Sequence, residues 1–165
     1  MNEFINMIRD RRSIRNFSDR PIDKRILEEI VDCARLSPSA RNIQHWVFLV
    51  VTEKENLSKL SGIVNWGPFI KDATACIVVC GRKDVKRHVE DCCLASENIM
   101  LAAKSLGVGS CYVAALKKDI EQARNLLNVS ENYEIVCFIP LGYFEKNPEP
   151  HDKKRMEEVI RWERF

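Results

Sequence analysis

A chain of 165 residues suits one compact domain, residues 1–165, because two separate cores at this length would each be undersized. Apolar residues make up 45% and charged residues 30%, the balance of a water-soluble globular protein with enough apolar surface to bury. Lysine and arginine number 26 against 24 acids, so the net charge of +2 excludes the broad field of a nucleic-acid or membrane binder and leaves any anion recognition to local clusters.

The first helix is expected over residues 2–10, where Phe4, Ile5, Met7 and Ile8 give an apolar side. An extended stretch then runs to Pro21. Asp23 reads as the N-cap of a helix through Leu36, with Ile26, Leu27, Ile30, Val31 and Ala34 at helical spacing, and Ser37-Pro38-Ser39 stops it. Residues 46–51 and 75–80 are bulky and β-branched, as in strands buried on both faces. Between them lie a short helix near 54–61 and a loop, 62–68, whose Asn65, Trp66 and Gly67 suit covering a ligand.

Residues 86–106 form the longest helical pattern, with Val89, Cys93, Met100 and Ala103 along one stripe and Leu94, Ala95 and Leu101 along another. A helix apolar on most sides must be buried on most sides, which in so small a domain points to the centre of a dimer; the alternative is a central helix of a monomeric core. A strand at 110–114, a helix at 118–127 and a strand at 134–141 follow. The segment 142–150 reads as a loop, and a charged, partly apolar helical tail closes the chain from 153 to 165. Strands and helices mix without strict βαβ alternation, so the fold class is α+β, with helices packed on a sheet.

The longest apolar run is too short to span a bilayer, and the first ten residues lack the order of a signal peptide, which makes a cytoplasmic location the expectation. Seven cysteines without C-x-x-C spacing read as reduced core residues. His45, His88 and His151 are scattered singly, so no metal site is expected.

Two segments carry chemistry. Arg11-Arg12-Ser13-Ile14-Arg15-Asn16-Phe17 packs three guanidiniums and a hydroxyl into five residues, and the planar fork of arginine suits phosphate because it donates paired hydrogen bonds and stays charged when desolvated. A solvated basic turn is the bland alternative, against which Ile14 and Phe17 argue for some burial. Ser37-Pro38-Ser39-Ala40-Arg41-Asn42-Ile43-Gln44-His45-Trp46 places two amides, two hydroxyls and an arginine on a loop that feeds a buried strand. Asn42 and Gln44 have both donors and acceptors to offer the edge of a heterocycle; a plain turn with Asx bonding is equally consistent.

Together and in this order, R-R-S-x-R-x-F and S-P-S-x-x-N-x-Q-x-W make the chain resemble the nitroreductase family of FMN-dependent oxidoreductases. Gly107-Val108-Gly109-Ser110-Cys111, Pro140-Leu141-Gly142-Tyr143 and Lys153-Lys154-Arg155 add to the resemblance, which covers nearly the whole length. It implies a mixed, mainly antiparallel sheet flanked by helices in an intertwined homodimer, with FMN held between subunits and NADH or NADPH as the electron donor. Residue by residue, it assigns Arg11, Ser13, Lys153 and Arg155 to the FMN phosphate, with Arg12 beside them, and Arg15 to the neighbourhood of flavin N1 and O2. Pro38, Ser39, Arg41, Asn42 and Gln44 fall to the ribityl chain and pyrimidine edge. The backbone N–H of Ala114 or Ala115 falls to flavin N5. Where some members carry a basic residue near the pyrimidine ring, this chain offers only Asn65 and Lys71. Where larger members insert helices to roof the substrate, it moves directly to Lys117 and Lys118.

The resemblance implies ping-pong hydride transfer to a small electron acceptor such as a nitroaromatic or a quinone. No catalytic side chain is then required, because the cofactor carries the chemistry. The rivals are a flavin-dependent ene-reductase or dehalogenase, a non-catalytic FMN-binding protein, and a basic protein for polynucleotide phosphate, which the balanced charge disfavours.

Overall fold

In the computed structural model, which describes residues 2–165, every residue of the strand β2 (Ala75–Arg82) except its last is buried. This follows from a sequence with no polar face: Ala75, Ile77 and Val79 pack on one side and Cys76, Val78 and Cys80 on the other. β1 (Trp46–Val51) pairs antiparallel with one edge of β2, β4 (Tyr133–Gly142) pairs antiparallel with the other, and β3 (Gly109–Ser110) pairs antiparallel with β4. The order is β1-β2-β4-β3.

The odd-numbered face of β2 receives Leu27, Ile30 and Ala34 of helix α2 (Lys24–Arg35) and Ala95, Ile99 and Ala103 of α4 (His88–Ser105). The opposite face receives Leu57 and Leu60 of α3 (Lys54–Ile63), Ile70 of the 3-10 turn Pro68–Asp72, and Ala123 of α5 (Lys117–Leu127). Cys137, Ile139 and Leu141 of β4 belong to the α2/α4 side, yet Ile135 belongs to the other. A bulge explains the switch, since Val79 pairs with Cys137 while Cys80 pairs with Ile135, leaving Val136 as the extra residue. Each fully buried side chain of this kind, such as Phe138, contributes about 1.5–3 kcal/mol.

Two expectations are corrected. The strand expected over 110–114 is cut to β3 and one further bridge, Val113 to Phe138. Pro140 is the cause: the Cys111 N–H reaches its carbonyl at 3.4 Å, but proline has no N–H to return. The tail expected as a helix over 153–165 forms only the single turn α6 (Met156–Val159). Met156, Val159, Trp162 and Phe165 are all exposed, and so short a helix does not persist without packing. Along α4, Ala95, Met100 and Ala103 turn inward while Val89, Cys93 and Leu94 stay exposed, so the two apolar stripes are not both covered by the chain itself. The same holds for α1 (Glu3–Asp10), which buries no residue and leaves Phe4, Ile5 and Ile8 exposed. Among the described residues no helix is long and apolar enough to cross a membrane.

The arginine-rich segment after α1 is fastened to the end of the sheet. The Ile14 N–H donates to the Ser110 carbonyl at 2.9 Å, the Ser18 N–H donates to the Tyr143 carbonyl at 2.7 Å, and Ser13 forms a parallel bridge with Ser110. Two glycines make this approach possible. A Cβ on Gly109 would meet Ile14 at 2.9 Å and Phe144 at 2.7 Å, and one on Gly142 would meet Phe17 at 2.7 Å. Gly142→Val is therefore expected to lower stability by about 1–3 kcal/mol through overpacking, read by urea denaturation. An unchanged midpoint would mean that Phe17 is not held against the strand.

Candidate functional site

Ile14 is buried and Phe17 is packed over Gly142, and the polar members of the segment are left beside them. Arg11, Arg12, Ser13 and Arg15 line a cavity of about 460 Å³, completed by Ile8 and Arg9 of α1 and by Pro148, Glu149, His151 and Lys153. The cluster is not saturated by its own chain. Arg12 Nη1 donates to the carbonyls of Arg9 and Arg11 at 2.6 and 2.8 Å, and Arg11 Nε lies 3.8 Å from Glu97. Arg11 Nη1, in contrast, is buried with no hydrogen-bond partner among the described residues. A buried guanidinium N–H without an acceptor costs on the order of 1–3 kcal/mol, a cost that an anion at this position removes. Arg15 sits 5.8 Å from the ring centre of Phe69, so it faces the side of the 3-10 turn. The thiol of Cys111 lies close by; burial raises its pKa, and Arg15, Ser13 and Arg11 pull it the other way.

Of the other basic residues expected to serve an anion, Lys153 lines the cavity and Arg155 does not. Arg155 pairs with Glu157 and Glu158 and caps α6, its Nε 3.4 Å from the Glu158 carboxylate. Lys71 is exposed. Asn65 is exposed too, with its backbone N–H donating to the buried Asp119 carboxylate at 3.2 Å, which ties the Trp66 loop to α5. Beyond the Val113 bridge the chain leaves the sheet, and among the described residues no backbone carbonyl accepts the N–H of Ala114 or Ala115. Lys117 then opens α5 at once.

None of Pro38, Ser39, Arg41, Asn42 and Gln44 lines the arginine cavity. They form a separate, largely exposed turn between α2 and β1, in which Arg41, Asn42 and Gln44 have φ of 55°, 56° and 53°. Left-handed backbone costs about 1–2 kcal/mol for a residue with a Cβ, least for asparagine, so the turn stores strain that its surroundings must hold. Inside it, Ser39 Oγ accepts the Gln44 N–H at 3.1 Å and the Ser39 carbonyl accepts the Asn42 N–H at 2.8 Å.

Sequence reasoning passed over the buried groups behind this turn. His45 and Asp91 form a buried pair at 3.0 Å, and the His88 ring stands edge-on to His45 at 6.5 Å. Periodicity carries no sign of such a pair; the only hint was an aspartate among apolar neighbours on a buried helix face. Both nitrogens of His88 meet oxygens, Nδ1 the Val85 carbonyl at 2.7 Å and Nε2 the Glu134 carboxylate at 2.8 Å. Burial opposes the charged ring, but these two bonds outweigh it and lift the pKa above the ordinary histidine value.

A raised folded-state pKa contributes stability that is fully present below the unfolded value and lost as pH rises through the folded one. The melting-temperature gap between wild type and His88→Gln should therefore be widest below about pH 6.5 and narrow at alkaline pH. A gap that does not change with pH would show that the pKa of His88 is the same in the folded and unfolded states.

The nitroreductase family model matches residues 8–74 and 64–143. A protein of Archaeoglobus fulgidus, provisionally named NADH dehydrogenase/NAD(P)H nitroreductase, is 38% identical over 96% of this chain and 92% of its own. An FMN-dependent nitroreductase of Clostridium difficile superimposes with a TM-score of 0.91 at 29% identity, over 98% of this chain and 99% of that one. The FMN reductase [NAD(P)H] of Bacillus subtilis is 26% identical over 78% of this chain, but the match spans only 61% of that longer protein. Matches of this extent, on a chain that carries the arginine segment and the amide-bearing turn in order, make it a member of the nitroreductase family.

Proposed function

We propose that the protein is an FMN-dependent NAD(P)H oxidoreductase whose arginine cavity receives the flavin phosphate. The observation that carries this reading is the buried, unpartnered Nη1 of Arg11 in a cavity lined by four arginines and Lys153. A phosphate monoester suits that donor set, because paired guanidinium N–H groups match its oxygens and Ser13 adds a hydroxyl. When bound, FMN supplies the hydride chemistry, taking a hydride from NADH or NADPH and passing it in ping-pong order to an acceptor such as a nitroaromatic or a quinone. In this reading Arg15 sets a positive charge beside the pyrimidine edge, and the N–H of Ala114 or Ala115, which no carbonyl accepts among the described residues, is the donor to a ring nitrogen. With α5 starting at Lys117, nothing is inserted to roof the acceptor.

Purified protein should be yellow, or turn yellow on addition of FMN; protein that stays colourless would overturn the reading. Arg11→Ala should weaken FMN binding by about 10–100-fold, the cost of losing a hydrogen bond to a charged group, measured by flavin fluorescence titration. Arg15→Leu should retain more of the binding and lower the flavin reduction potential, since the cation that favours the reduced, anionic ring is gone.

The working unit in this reading is an intertwined homodimer. Apolar side chains on α1 and α4 lie exposed, and Trp162 and Phe165 of the tail have no cover, Trp162 being 80% exposed. A groove of about 710 Å³ between α2 and β1, lined by Ile22, Leu27, Val31 and Val50 beside the unpaired edge of β1, offers such a tail a seat on a second copy. The same pairing supplies what one chain lacks, bringing the Asn42 and Gln44 turn of one subunit to the arginine cavity of the other. Sedimentation velocity should give a dimer. A monomer that holds FMN stoichiometrically would refute this arrangement.

A further inference from the structure

Helix α4 carries two polar side chains on the edge that faces the connection between α2 and β1. Asn98 Nδ2 donates to Ser37 Oγ at 2.7 Å and to the Cys33 carbonyl at 3.3 Å, holding the start of the connection. Seven residues earlier, two helical turns away on the same side, one oxygen of Asp91 does the rest: Oδ2 accepts the Ala40 N–H at 2.9 Å and meets His45 Nε2 at 3.0 Å. Ala40 and His45 are the two ends of the left-handed stretch that holds Arg41, Asn42 and Gln44.

This arrangement is costly in itself. Asp91 is 5% exposed and His45 4%, and an ionised carboxylate removed from water needs its acceptor capacity filled. A carboxylate accepts and does not donate, so His45 Nε2 carries the hydrogen. That leaves His45 Nδ1 buried and without a partner among the described residues. An apolar pair of the same volume would pack there without these penalties. What an apolar pair would not do is close a ring across a turn whose backbone is strained at three residues.

We propose that Asp91 is a positioning residue for cofactor binding: through Ala40 and His45 it clamps both ends of the strained turn and so holds Asn42 and Gln44 in their binding shape before the ligand arrives. This rests on the reading of that turn as part of the flavin site. The clamp works by preorganisation, since a turn already held in shape loses less conformational freedom when it binds. Its loss therefore appears in affinity, not in the rate of the bound cofactor.

The test compares Asp91→Ala, Asp91→Asn and His45→Phe with wild type. Three quantities are read: amide hydrogen–deuterium exchange over residues 38–46, the FMN dissociation constant, and kcat with NADH and a quinone at saturating FMN. Asp91→Ala should exchange about ten times faster across the turn and bind FMN about tenfold more weakly, with circular dichroism and kcat at saturation close to wild type. Asp91→Asn keeps an acceptor oxygen and should recover most of both losses. His45→Phe keeps the ring volume without the donor and should fall between, and it serves as the test should Asp91→Ala fail to fold. Unchanged exchange in the turn, or faster exchange with unchanged FMN affinity, would overturn the proposal. If wild-type protein takes up no FMN, the flavin reading fails, and exchange alone then decides: faster exchange in Asp91→Ala upholds the clamp, and unchanged exchange overturns it.

Discussion

A strand buried on both faces has no surface on which to carry polar chemistry, and β2 is such a strand. Everything that handles a ligand must then sit where strands end or where chain crosses from helix to strand. The arginine segment lies at the end of β3 and β4, where Gly109 and Gly142 let it approach, and the amide-bearing turn lies where α2 hands over to β1. The core thereby places the two candidate half-sites, and it does so rigidly, because each is tied to buried elements through backbone hydrogen bonds or a buried carboxylate.

The electrostatics have the same local character. A net charge of +2 gives no long-range field, so the gathering of four arginines at one cavity must be held by fastening and not by attraction. Ile14 and Phe17 supply the fastening, their burial offsetting the repulsion between neighbouring guanidiniums. Salt bridges elsewhere lie mostly on the surface and contribute little. The cavity differs because Arg11 Nη1 is buried there without a partner among the described residues, a shortfall that an anion would make good.

The central sheet and its two helix layers were legible because their residues obey local rules. Asp23 caps α2 by accepting the Arg25 N–H, and the apolar runs of β2 and most of β4 are buried as expected, whereas β1, expected to be buried on both faces, is an edge strand with Val47 exposed. The two motif segments were legible as well, through the density of arginine in one and of amides in the other. What stayed hidden depended on distant partners. Pro140 ends the pairing of the 110–114 segment from the neighbouring strand, 29 residues beyond Cys111 in sequence and invisible from either segment alone. The pairing of Arg155 with Glu157 and Glu158 was in plain view at short range, and its basic character outweighed it in the sequence reading.

The tail makes the deepest version of this point. Met156, Val159, Trp162 and Phe165 have the apolar content of a packed segment and yet lie exposed. Sequence pattern alone would make them helix, because periodicity reports that a residue wants burial and is silent about which molecule provides it. The chain exposes those four residues together with Phe4, Ile5 and Ile8 on α1. The same chain keeps its arginine cavity and its amide turn apart. In the proposed homodimer both deficits have one remedy, since a second copy would cover the apolar segments and bring its amide turn to the arginine cavity.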